Sequence, residues 1–99
     1  MQIEREQELK QILDNYGVVS QMNVAIEEMS ELIKELCKYN REETPSFERV
    51  DHIIEEMADT QIMLNQLRLI FGNDNIFEYY YNLKINRQKE RIEKEGNNG

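Results

Sequence analysis

The chain has 99 residues, a formal net charge of −8, one proline, four glycines and no tryptophan. At this length it makes one domain over residues 1–99 that buries only about two-thirds of its unfolded surface, so the core is thin or is shared with another subunit. The acidic balance excludes a surface built to neutralise nucleic-acid phosphates, and the absence of an apolar run of ~20 residues excludes a membrane span.

Glu, Lys, Leu, Ile, Gln and Met dominate the composition, which favours helix throughout and gives an all-α expectation. Nothing resembles a signal peptide, so the expected location is the cytoplasm. The spacing predicts a short charged helix over 3–15, stopped by Gly17 and packed across the others through Ile3, Leu9, Ile12, Leu13 and Tyr16. A second helix is predicted over 20–39 with Ser20 as N-cap. The break "YNREETPS" then leads to a third, capped by Thr44 or Ser46; a Thr44 cap would put Pro45 at the first helical position. That helix ends at Gly72. The following "NDN" caps a fourth helix, "IFEYYYNLKINRQKERIEK", and residues 95–99 form a frayed tail.

At about 100° per residue, Met22, Ala25, Ile26, Met29, Leu32, Ile33, Leu36 and Cys37 form one apolar face of the second helix, edged by Glu28, Glu31 and Glu35. The lone Cys37 on that face reads as a reduced, buried, structural thiol. On the third helix, Glu56 and Asp59 share a stripe with Met63, Leu67 and Ile70. Carboxylates in an apolar stripe are costly unless paired or coordinated, and acids three residues apart also repel each other. A divalent cation removes both objections. Oxygen ligands alone suit Mg²⁺, with Mn²⁺ as a substitute, so Glu28, Glu31, Glu56 and Asp59 are the candidate metal ligands.

The segments "EEMSE" at 27–31 and "EEMAD" at 55–59 give an E-x-x-E followed by an E-x-x-D, and over residues 18–92 the chain resembles the all-α nucleoside triphosphate pyrophosphohydrolases called MazG-like. The resemblance implies a four-helix bundle completed by oligomerisation. It also implies Mg²⁺-dependent cleavage of the α–β phosphate linkage of a nucleoside triphosphate, giving a nucleoside monophosphate and pyrophosphate, with Glu28, Glu31, Glu56 and Asp59 catalytic. Glu35, which extends the Glu28 and Glu31 stripe, ranks first among the neighbouring acids for a supporting role.

Lys84, Arg87 and Arg91 recur on one face of the fourth helix with Tyr80 a turn earlier. They resemble the family's phosphate-binding positions, against the plainer reading that they complement the helix dipole. Tyr79, Tyr80 and Tyr81 read as packing residues and His52 as a peripheral histidine. The third helix is apolar on nearly all sides, which predicts a homodimer or homotetramer sharing helices two and three, its site near the interface. The alternative is a noncatalytic oligomeric or nucleotide-binding module. A di-iron bundle is disfavoured because it needs Glu-x-x-His twice and the chain lacks that motif.

Overall fold

The computed structural model describes residues 1–98 and consists of four helices. They are α1 (Glu6–Tyr16), α2 (Val18–Arg41), α3 (Phe47–Phe71) and α4 (Asp74–Asn98). The all-α expectation holds, and no helix is long and apolar enough to cross a membrane among the described residues.

The helix ends follow local chemistry. Arg5 sits in the left-handed region at φ 55°, so α1 begins after it, while Ile3 is buried ahead of the helix. Gly17, at φ 88° and ψ 163°, serves two helices at once. Its N–H closes on the Leu13 carbonyl at 2.8 Å and its own carbonyl accepts from Gln21 N at 3.0 Å. That dual role starts α2 at Val18, so the expected Ser20 cap is replaced by Gly17, whose conformation only glycine adopts freely. For α3 the cap is Ser46, whose Oγ accepts from Arg49 N at 3.1 Å; Pro45 therefore precedes the cap instead of opening the helix. Gly72 ends α3 and Asn73 opens α4, its Oδ1 accepting from Ile76 N at 3.3 Å. Helix α4 then runs through the segment expected to fray as far as Asn98; residue 99 lies outside the described residues.

α2 and α3 form the main packing unit, and α1 lies against both. Leu9 of α1 is buried, and its carbonyl accepts from Gln66 Nε2 of α3 at 3.0 Å. The contents of the α2–α3 seam are unusual. Its buried residues include Ala25, Ile53 and Met63, but also Gln21, Glu35, Glu56, Thr60 and Gln66. Helix α2 turns its 21, 25, 28, 35 stripe toward α3, so the adjacent apolar stripe, about 100° away, points outward. Ile26, Ile33 and Leu36 are exposed, and Cys37 is exposed too, against the expectation of a buried thiol.

The surface reflects this arrangement. The chain exposes 8007 Å², whereas a compact monomer of its mass exposes about 6,000 Å². Its radius of gyration is 17.3 Å, against about 13 Å for a compact domain of this length. Helix α4 accounts for much of the extension, because it packs on α3 only near its root. There the Arg68 guanidinium lies 4.5 Å from the centre of the Phe77 ring and 3.3 Å from Asp74 Oδ1.

Candidate metal centre

Glu28 and Glu56 face each other across the antiparallel α2–α3 seam, and Asp59 follows Glu56 one turn later. One carboxylate oxygen from each lies within 4.8 Å of the other two. Two trans ligands of a Mg²⁺ ion are separated by about 4.2 Å, so small side-chain rotations close the set around one cation. Glu56 is buried, and its Oε2 has no hydrogen-bond partner among the described residues. Such an oxygen normally carries a proton donor or a metal. The donor set therefore fits a hard divalent cation: oxygens only, crowded, and one of them unsatisfied.

The electrostatics agree. Burial raises the Glu28 carboxyl above the usual carboxylate range, helped by the neighbouring Glu56 carboxyl and by the charges of Asp59, Glu56 and Glu31. Glu31 contributes charge to Glu28 but is exposed and stands outside the close trio. Thr60 makes a long 3.5 Å contact from Oγ1 to the Glu28 carbonyl, tying the α2 backbone at the site to α3.

Seven residues along α2 from Glu28, and seven back along α3 from Glu56, a second polar layer closes the hairpin. Arg49 donates from Nη1 to Glu35 Oε2 at 2.7 Å, and from Nε and Nη2 to Glu42 Oε1 at 2.9 and 2.6 Å. Glu35 is 4% exposed. Burial alone pushes its carboxyl upward, but the Arg49 hydrogen bond, with Lys38, His52 and the Arg49 charge, holds it below the usual range. Glu35 thus stays ionised and occupied, which makes it a poor proton acceptor. His52 links the layers: its Nε2 lies 3.8 Å from both Glu35 Oε1 and Glu56 Oε1. The sequence pattern missed Arg49 and Glu42, although the seven-residue spacing of Glu28 to Glu35 and Arg49 to Glu56 was available to find the first.

Lys84, Arg87 and Arg91 are exposed on α4 beside Tyr81, Ile85 and Ile92, and form no ion pair among the described residues. Within one chain they do not join the acidic trio. Tyr79, Tyr80 and Tyr81 are also exposed, pairing among themselves and with Phe77. Comparisons of the chain with protein-family models, with curated proteins and with solved structures gave no match.

Proposed function

We propose that this chain is a Mg²⁺-dependent nucleoside triphosphate pyrophosphohydrolase of the MazG-like kind, cleaving the α–β linkage of a (d)NTP to release the nucleoside monophosphate and pyrophosphate. The observation that carries the reading is the convergence of Glu28, Glu56 and Asp59 from two helices, with the buried Glu56 Oε2 left without a partner. The E-x-x-E and E-x-x-D order of the two segments supports it. Glu28, Glu56 and Asp59 would hold the cation, with Glu31 as the fourth acid of the pair of motifs; Mn²⁺ is the expected substitute. When bound, the ion supplies charge neutralisation for the triphosphate and a more acidic water.

The chain's own residues do the rest. The Arg49–Glu35 layer and the Thr60 contact fix the hairpin so that the acids stay convergent before substrate arrives. Glu27 and Glu55, exposed beside the motifs and carrying no cation partner among the described residues, are the acids that would accept a proton from a bound water. Lys84, Arg87 and Arg91 are assigned to the triphosphate oxygens. A homodimer or homotetramer sharing α2 and α3 completes the four-helix bundle in this reading. The test is pyrophosphate release from a panel of nucleotides with Mg²⁺, alongside Glu56→Gln and Asp59→Asn. Turnover by the parent chain and its loss in both variants is the expected result; no release from any nucleotide would sink it.

A second reading, a noncatalytic oligomeric module, draws on the apolar stripes exposed on α2 and α3. Nucleotide binding or self-association without pyrophosphate release would favour it.

A further inference from the structure

Two surface stripes of this chain complement each other and do not meet within it. The first half of α3 exposes Phe47, Val50 and Ile54 in a shallow groove rimmed by Glu48, Asp51 and Glu55. Phe47 is 92% exposed and Ile54 57%. The far half of α4 exposes Tyr81, Ile85 and Ile92 in a groove rimmed by Lys84, Arg87 and Arg91. Each is an apolar strip bordered by a single sign of charge, and the signs are opposite. Positions 47, 50 and 54, and 81, 85, 88 and 92, keep the three-and-four spacing of helix-packing seams. Helix α4 carries five acidic and five basic residues, so the net charge of −8 falls entirely on the remainder of the chain.

Helix α4 leaves α3 at Gly72, the opposite end from Phe47, and touches it only near Phe77 and Tyr81. The free halves do not meet within the chain, because α3 and α4 pack together only at the Gly72 end. We propose that α4 is an exchanged arm. In a two-fold dimer with the α3 helices antiparallel, the far half of each α4 lies along the first half of the other copy's α3. The occupant is a second copy, argued from the charge match and from area. The chain's 8007 Å² of surface exceeds that of a compact monomer by about 2,000 Å², within the roughly 1,000–2,500 Å² per chain that obligate homodimers bury. This rests on the assembly reading above and adds which element crosses. It places Lys84 and Arg87 on the half of the other copy's α3 that also carries His52 and Glu56.

The experiment uses full-length chains in a Cys37→Ser background. One chain carries Ile54→Cys, the other Ile85→Cys, and the two are co-refolded and mildly oxidised. A disulfide-linked heterodimer is expected. With both substitutions in one chain, a covalent dimer is expected, and an intrachain disulfide would show that α4 folds back on its own α3. A dimer by light scattering that fails to cross-link overturns the arm but leaves the shared bundle standing, whereas a monomer overturns both. Separately, Lys89→Glu, at a basic residue of the same groove that is not assigned to the triphosphate, should weaken dimerisation severalfold, and Asp51→Lys in the same chain should restore it. Lack of rescue, or a monomer whose α4 binds phosphatidylserine vesicles, counts against the proposal.

Discussion

Arg49 of α3 and Glu35 of α2 share a 2.7 Å hydrogen bond two helical turns from the Glu28, Glu56 and Asp59 cluster. Glu35 is buried, with Lys38 and His52 also within 4 Å of its carboxylate, and Glu42 takes the other edge of the guanidinium. A carboxylate so placed depends on its cation, because removing one partner of a buried pair leaves the other uncompensated.

The first prediction concerns that pair. Its folded carboxyl lies below the ordinary range, so its contribution to stability is fully present above the unfolded value near 4.3 and fades as pH falls through the folded value. Urea unfolding at about pH 7 and about pH 3 should therefore show a steeper acid loss in the parent chain than in Glu35→Gln. Arg49→Ala should be the more damaging substitution at neutral pH, since it strands Glu35, and adding Glu35→Leu to it should recover stability. Equal pH slopes for parent and Glu35→Gln would show that Glu35 is not held as described.

A second prediction concerns the acidic trio. Glu28, Glu56 and Asp59 repel one another when no cation is bound, so Glu56→Gln should unfold at a higher temperature than the parent chain in a chelator. Adding Mg²⁺ should raise the parent's unfolding temperature and leave the variant's unchanged, reversing the order at sufficient Mg²⁺. Calorimetric scans with EDTA and with millimolar Mg²⁺ measure both. A variant that responds to Mg²⁺ as strongly as the parent would remove Glu56 from the site.

The clustering of three of the four expected acids was legible in the sequence, and the reason is geometric. Carboxylates at i and i+3 share a helix face whatever the helix packs against, so Glu56 and Asp59 come together on α3 from spacing alone. The helix stops were legible for the same local reason, as at Gly72 and Ser46. The rotation of α2 about its axis was not local. Periodicity placed Cys37 and Ile33 inside with Ala25, but the hairpin buries Gln21 and Glu35 instead and leaves Cys37 and Ile33 out. A hydrophobic stripe says that a face will be covered; it does not say whether the same chain covers it. Glu31 illustrates the same limit, sharing a helix with Glu28 yet standing exposed beside the trio.

Gln66 provides a third prediction, independent of function. It is 0% exposed, and its Nε2 donates to the Leu9 carbonyl at 3.0 Å, joining α1 to the hairpin. Gln66→Ala removes that bond and opens a cavity in a small core, at a cost of about 2–3 kcal/mol. Because α1 is the element released, amide exchange should accelerate there before it does along α2 and α3. A loss below about 0.5 kcal/mol, with α1 protection unchanged, would show that α1 is held by other contacts.

The last prediction concerns the outward stripe of α2. Val19, Met22, Ile26, Met29, Ile33 and Leu36 follow each other at alternating three- and four-residue steps, with β-branched residues at every first position. Val19, Ile26 and Ile33 are each more than 60% exposed. On a monomer, an exposed isoleucine tolerates a polar substitution within about 0.5 kcal/mol. In a bundle shared between copies the same side chain sits in a packed seam, and truncation or charge there costs several times more. If the proposed shared bundle forms, Ile26→Glu with Ile33→Glu should dissociate it, reduce the molar mass by light scattering, and make unfolding independent of protein concentration. If the doubly substituted chain keeps the parent's mass and stability, the α2 stripe is solvent-facing, and the chain is a monomer or associates through another face.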